Sequence, residues 1–183
     1  MSETSKMHKE KAPKTLNFGV FICSTSRYKL LQQGEAAVSD VGGDTAVDLI
    51  KKAGHNVLFK KIIPDDKKII SGELVKALET PDLDVAIFSG GTGITPTDVT
   101  IETVSPFLEK TLPGFGEFFR RISFDKVGSA AVLSRAVAGV AKAKPSFAFQ
   151  VRRTPCRLRW KCLFYPRLLT SLSTRVKNDE FNR

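Results

Sequence analysis

Three short, largely apolar runs constrain this chain more than any other feature of its sequence. They are NFGVFICS at 17–24, NVLFKKIIP at 56–64 and LDVAIFS at 83–89. Runs of this length, rich in Phe, Val and Ile, are typical of strands that are buried on both faces of a sheet. The sequence therefore predicts three strands of a buried, mostly parallel sheet.

Amphipathic segments lie between these runs. DTAVDLIKKAGH at 44–55 has apolar residues at helical spacing and ends near Gly54, and SGELVKALE at 71–79 predicts a second helix, opened by Ser71. A polar loop is expected between the first strand and the first helix. Because strands and helices alternate at these lengths, we expect βαβ units and an α/β fold whose sheet is covered on both faces.

The second half of the chain is expected to complete the same domain. We expect a helix interrupted at Pro106, then a turn and helix at 113–123, then two short strands around a Lys-containing turn at 136–149. A chain of 183 residues fits one domain, which we place at residues 16–149. Residues 1–15 are polar and charged, which predicts a disordered leader and not a secretory signal.

The loop after the third run carries the clearest functional signal. It reads SGGTGITPTDVT at 89–100 and begins where a buried strand should end. Ligands of open parallel sheets bind at the carboxyl ends of the strands. Glycines allow a phosphate or a flat ring to approach the backbone amides, and hydroxyls add hydrogen bonds. The residues concerned are Ser89, Gly90, Gly91, Thr92 and Gly93.

The carboxylate of Asp98 closes this stretch and is a suitable ligand for Mg²⁺. A structural explanation is also open, in which the glycines form an ordinary turn and Asp98 is the N-cap of the next helix. The loop is not a Walker motif, because no Lys follows the last glycine.

Several motifs together resemble the MoaB/MogA family of molybdenum-cofactor biosynthesis proteins. They are IIPDD, SGGTGITPTDVT, PGFGEFFRRIS and AAVLSRAVAG, which follow one another along the chain in the order of the family, and the similarity runs from about residue 18 to 149. The resemblance implies a three-layer α/β/α sandwich that assembles as trimers or hexamers. It also implies binding of molybdopterin and transfer of AMP from ATP to the molybdopterin phosphate, with release of pyrophosphate.

The same resemblance implies roles for individual residues. Gly90 to Gly93 would contact the pterin or its phosphate, and Asp65 and Asp98 match the acidic positions associated with Mg²⁺ and catalysis. Ser134 matches a hydroxyl position near the phosphate, and Arg135 is suited to a charge-assisted contact with it. We expect a branched side chain at position 91 to lie against the phosphate and block the ligand.

Structural explanations stay open for some of these residues. Asp65 follows Pro64 and is a common turn residue, and Ser134 is suited to packing or to a backbone hydrogen bond. We expect Cys23, at a strand end, to be an inert buried thiol. The three cysteines have no metal-ligand spacing and indicate a reducing, cytoplasmic setting.

The last 34 residues depart from the family pattern. Family members continue with a PG-x-P-N-A-V loop and an apolar helix, whereas this chain reads QVRRTPCRLRWKCLFYPR at 150–167. Permitted codons for this stretch, read one base earlier, encode PGSPNAVQVALEMLILPE, which contains both the loop and a helical apolar pattern. We therefore interpret residues 150–183 as the product of a frameshift; a divergent basic tail is the alternative.

The distribution of charge along the chain agrees with a boundary at about residue 150. Of the net charge of +10, residues 151–183 carry +7, from nine basic and two acidic residues, so the first 150 residues carry only +3. This distribution argues against a nucleic-acid-binding domain, although a basic, aromatic tail superficially suits RNA.

No apolar stretch approaches the length of a membrane span. The rival to the enzyme is a non-catalytic, oligomeric molybdopterin-binding protein.

Overall fold

The computed structural model describes residues 15–34 and 38–149. The strands are β1 (Asn17–Cys23), β2 (Asn56–Ile63), β3 (Val85–Ser89), β4 (Lys110–Thr111), β5 (Ala136–Ala141) and β6 (Lys144–Phe149). The α-helices are α1 (Thr25–Gln32), α2 (Val41–Lys52), α3 (Lys67–Glu79), α4 (Thr100–Val104) and α5 (Pro113–Val127). Short 3-10 helices follow α4 at Ser105–Phe107 and α5 at Gly128–Leu133.

All six strands form one sheet in the order β2-β1-β3-β6-β5-β4. The first four in this order run parallel to their neighbours, and β5 is antiparallel to both β6 and β4. The turn between β5 and β6 places Lys142 and Ala143 at φ of 44° and 59°, as a two-residue hairpin requires. The predicted α/β fold, its mostly parallel sheet and its C-terminal hairpin are therefore confirmed.

Helices cover both faces of the sheet, because alternate residues of each strand point to opposite sides. On one face, Phe18, Val20 and Ile22 of β1 pack with α2 and α5. On the other face, Phe21 and Cys23 of β1 pack with α3 and the end of α4. Two buried cores separated by one sheet give the three layers that the resemblance implied.

Two details differ from the sequence-based expectations. The segment after β1, which we expected to be a polar loop, contains helix α1. This helix has no buried residue, and its sequence lacks the apolar periodicity that predicts a helix. Helix α3 begins at Lys67 and not at Ser71, because the carboxylate of Asp66 accepts hydrogen bonds from the amides of residues 68 and 69. The Ser71 hydroxyl instead donates to the Lys68 carbonyl, 3.0 Å away.

Apart from residue 15, the described residues fall within the predicted domain at 16–149. Most of the predicted leader and the whole segment at 150–183 lie outside the described residues. The disordered leader and the frameshift therefore stay predictions. No helix in the described part of the chain is both long and apolar enough to cross a membrane.

Candidate active site

Most of the predicted site residues follow the carboxyl ends of two parallel strands, β2 and β3, which flank β1 in the sheet, while Ser134 and Arg135 directly precede β5. Strand β1 ends before Ser24, β2 is followed by Asp65, and β3 ends at Ser89, where the glycine-rich loop begins. We refer to residues 89–98 as the substrate loop, because the sequence predicts that they bind the substrate. The sheet topology therefore places the substrate loop beside Asp65, although the two are far apart in sequence.

Gly91 lies directly against Asp65 and Thr100. A Cβ atom added at Gly91 would overlap Asp65 Oδ1, and it would lie 2.5 Å from Thr100 Oγ1. The φ angle of Gly91 is +55°, and its carbonyl accepts a hydrogen bond of 2.9 Å from the Thr100 amide. Both the close approach and the positive φ require glycine at this position.

Asp65 joins the end of β2 to the start of helix α1. Its Oδ2 accepts hydrogen bonds from the Thr25 amide at 3.0 Å and from the Thr25 hydroxyl at 3.2 Å. The Asp65 amide donates to the same hydroxyl oxygen at 3.0 Å. Asp65 is thus more than a turn residue, because it anchors a helix that propensity alone does not predict.

Three buried oxygen atoms around the substrate loop have no hydrogen-bond partner among the described residues. They are Asp65 Oδ1, Thr92 Oγ1 and Thr100 Oγ1. Buried oxygens without partners are rare in folded proteins, and they are typical of sites that receive a ligand, a water molecule or an ion. Sequence reasoning missed Thr100, whose role depends on a tertiary contact with Gly91.

Asp98 bonds within the substrate loop and does not cap the next helix. Its Oδ2 accepts from the Thr95 amide at 2.9 Å and from the Thr95 hydroxyl at 2.5 Å, while the cap of α4 is Val99 and has no side-chain hydrogen bond. Burial opposes ionisation, but the hydrogen bonds from Thr95 and Gly93, together with the charge of Arg135, hold the pKa of Asp98 below its usual value. The carboxylate is therefore charged at neutral pH.

Arg135 connects the substrate loop to helix α4. Its Nε donates to the Thr92 carbonyl at 3.1 Å, and its two terminal nitrogens contact the Glu102 carboxylate. The hydrogen bond from Arg135 lowers the pKa of the Glu102 carboxyl below its usual value. Partial burial acts in the opposite direction but does not cancel this effect. Ser134, the neighbour of Arg135, is buried, and Glu102 is a second residue that sequence reasoning missed.

A cleft of about 480 Å³ opens beside the first two residues of the substrate loop. It lies between the carboxyl ends of β1 and β3 and the first residues of helix α2. Its polar lining comprises Ser24, Arg27, Ser39, Asp40 and Ser89. The carboxyl-end rule could have indicated Ser24 and Arg27 from the sequence, whereas Ser39 and Asp40 come from another segment.

Cys23 also lines this cleft but does not have the properties of a nucleophile. Burial raises the pKa of its thiol to about 12. The nearby Thr100 hydroxyl opposes this shift without reaching hydrogen-bond geometry, and the charge of Asp65 adds to it. The thiol is neutral at physiological pH, as expected for an inert buried cysteine.

The carboxylates present fit a magnesium ion shared with a substrate. Within the described ranges there is no cluster of three or more His, Cys, Asp or Glu side chains. Mg²⁺ usually binds proteins through one or two carboxylates and completes its shell with water and substrate phosphates. Asp65, which has an unpartnered Oδ1, and Asp98 are the carboxylates that could serve as such ligands, each beside a glycine of the substrate loop.

Comparison with known proteins decides the family. The model of a family described as "Probable molybdopterin binding domain" matches residues 19–154, which include every predicted site residue. This chain belongs to that molybdopterin-binding family. The match confirms the family indicated by the four motifs.

Individual members of the family align with most of the chain. Molybdenum cofactor biosynthesis protein B of Bacillus cereus is 38% identical over 162 residues, which cover 88% of this chain and 91% of the relative. Molybdopterin adenylyltransferase of Pyrococcus furiosus is 42% identical over 133 residues, 73% of each protein. A crystal structure of a molybdenum cofactor biosynthesis protein B superposes with a TM-score of 0.73 at 30% identity, covering 94% of this chain and all of the other.

Proposed function

We propose that this protein is a molybdopterin adenylyltransferase of molybdenum-cofactor biosynthesis. It binds molybdopterin and ATP and transfers AMP to the terminal phosphate of molybdopterin. The observation that carries this proposal is the glycine-rich substrate loop at the end of β3, which has the carboxylate of Asp65 against Gly91 and that of Asp98 against Gly93. The name of the relative from Pyrococcus furiosus supports the same reaction.

The reaction needs positioned anions and no protein nucleophile. An oxygen of the molybdopterin phosphate attacks the α-phosphorus of ATP and forms a new phosphoanhydride bond. The bond from the α-phosphorus to the bridging oxygen breaks, and pyrophosphate leaves with that electron pair. A neutral, buried Cys23 agrees with this chemistry, because the thiol is not required.

The substrate loop is the part that we assign to molybdopterin. The amides of Gly90, Gly91 and Gly93 bind the pterin or its phosphate, and the hydroxyls of Ser89 and Thr92 add hydrogen bonds. Thr92 is fully buried and its hydroxyl has no partner in the described part of the chain, so an additional hydrogen bond from a ligand would satisfy it. We assign Ser134 and Arg135 to the phosphate side of the same site.

Asp65 and Asp98 are the residues that we assign to the Mg²⁺ ion. When bound, the ion screens the negative charges of the two phosphates and holds them in line. Asp98 is suited to this role because its lowered pKa keeps it ionised. Asp65 is suited because one of its oxygens has no partner among the described residues.

A second function is favoured by one observation. Oδ2 of Asp65 is already bonded to Thr25, and Oδ1 is buried, so this carboxylate also fits a structural role in a protein that binds molybdopterin without turnover.

The trimer or hexamer implied by the family belongs to both proposals. Exposed apolar side chains at and after the end of α5, namely Phe124, Val127, Val132 and Leu133, form a surface suited to subunit contacts.

One experiment separates the two functions. The full chain is incubated with molybdopterin, ATP and Mg²⁺, and pyrophosphate and adenylylated molybdopterin are quantified over time. The enzyme forms both products in equal amounts and only when all three components are present. A non-catalytic protein retains molybdopterin on gel filtration but forms neither product.

A further inference from the structure

Glu102 lies at the meeting point of the segments that carry the proposed site. It is in the first turn of α4, and its two carboxylate oxygens face the two terminal nitrogens of Arg135, one of them at 3.4 Å. Arg135 follows Ser134, another predicted site residue. The pair therefore joins α4 to the segment that carries Ser134 and Arg135.

Arg135 binds both Glu102 and the substrate loop. While its terminal nitrogens bind Glu102, its Nε donates to the Thr92 carbonyl at 3.1 Å. Thr92 is fully buried, and a buried carbonyl needs a donor. A guanidinium held at two points in its plane cannot rotate away from the third.

This arrangement is more than a surface ion pair. Arg135 and Glu102 are 33% and 44% exposed, and pairs of this kind contribute little to stability. The third hydrogen bond, from Arg135 Nε to the Thr92 carbonyl, attaches the pair to the backbone between Gly91 and Gly93. The pair therefore affects the geometry of the substrate loop, although it contributes little to stability.

We propose that Glu102 is a positioning residue for molybdopterin binding, acting through Arg135 on the Thr92 carbonyl. By fixing this carbonyl, it orients the peptide groups from Gly91 to Gly93 so that their N–H groups face the phosphate. It also holds the Arg135 guanidinium at the edge of the site. This inference rests on the proposed function, because it needs molybdopterin as the ligand of the loop.

The test compares Glu102→Ala with Glu79→Ala as a matched control. Glu79, the last residue of α3, also forms an exposed ion pair, with Lys142 at 3.7 Å. It precedes β3, whereas the substrate loop begins at the other end of that strand. We measure the Kd of molybdopterin by fluorescence and the Tm of both variants. Glu102→Ala is expected to raise the Kd between about tenfold and a hundredfold, the range for a misplaced binding group, while the Tm values of the two variants agree.

Two further variants show whether the effect passes through Arg135. Glu102→Gln retains one acceptor oxygen and is expected to restore part of the affinity. Arg135→Lys cannot form the fork, so combining it with Glu102→Ala is expected to weaken binding no further than Arg135→Lys alone. Fully additive losses would overturn the positioning role.

The outcomes distinguish this inference from the proposed function. If wild-type protein binds molybdopterin and Glu102→Ala binds it equally well, the positioning role is wrong and the proposed function stands. If Glu102→Ala loses affinity only in proportion to a lower Tm, the role is structural and the inference is again overturned. If wild-type protein does not bind molybdopterin, both are overturned.

Discussion

Gly91 lies so close to the Asp65 carboxylate that no side chain fits between them. The contact joins the substrate loop after β3 to the end of β2, with the strand β1 between the two strands in the sheet. It places backbone amides next to a carboxylate that has one oxygen without a partner in the described ranges. The proposed site depends on this contact between the glycine-rich substrate loop and a carboxylate, a side chain of the type that binds metal ions.

Gly91→Ala is expected to destabilise the fold by about 2 to 4 kcal/mol. The new Cβ overlaps Asp65 Oδ1, and the φ of +55° adds the cost of a left-handed residue. The free energy of unfolding in urea measures the effect. Gly114→Ala is the control, because a Cβ at that helical position meets nothing within 4 Å; equal stability of both variants would contradict this packing.

This prediction revises the expectation that a branched side chain at position 91 blocks the ligand directly. The Cβ direction of Gly91 leads inward to Asp65 and Thr100. A substitution therefore damages the site by displacing these two residues from within. Loss of binding in Gly91→Val would accompany loss of stability and would not by itself locate the phosphate.

Asp65→Asn separates the chemical role of this residue from its structural role. The amide oxygen can still accept both hydrogen bonds from Thr25. We expect the Tm to change little while AMP transfer falls at least about a hundredfold, because the carboxylate charge is lost. Activity close to wild type, measured as pyrophosphate release, would show that Asp65 is only structural.

Asp98→Asn is expected to destabilise the protein most at neutral pH. The folded-state pKa of Asp98 is below its ordinary value of 3.8, so the ionised side chain stabilises the fold above pH 3.8. This contribution is lost as the pH falls through the folded-state pKa. Urea unfolding of both proteins between pH 7 and pH 3 measures it, and a difference that grows on acidification would contradict the assignment.

Cys23 is expected to resist alkylation in the native protein. With a pKa of about 12, only about one thiol in ten thousand is ionised at pH 8, and burial also excludes the reagent. Peptide mapping after iodoacetamide treatment distinguishes Cys23 from Cys156 and Cys162. Modification is expected only in guanidinium chloride, and rapid modification of the native protein would show that the strand end is open.

The fold was predictable from local patterns. Apolar runs of strand length identified β1, β2 and β3, and the rule that ligands bind at carboxyl ends indicated the substrate loop as part of the candidate site. Helix α1 was missed because its stability comes from the bonds between Thr25 and Asp65, which are 40 residues apart. Propensity and periodicity carry no information about such contacts.

The pairing of Arg135 could not be predicted for the same reason. The sequence indicated a cation suited to phosphate, but it gave no sign that Glu102, 33 residues earlier, binds the guanidinium. The alternative N-cap role of Asp98 was wrong, because the carboxylate turns back to Thr95. The frameshift is tested by the coding DNA, which must encode PGSPNAV in the neighbouring frame at residues 150–156.

Pyrophosphate release from ATP and Mg²⁺, with and without molybdopterin, tests the account most directly when wild-type protein is compared with Asp98→Asn. We expect release that requires molybdopterin and that falls at least about a hundredfold in the variant. Release that is independent of molybdopterin, or equal in the two proteins, would contradict the proposed site.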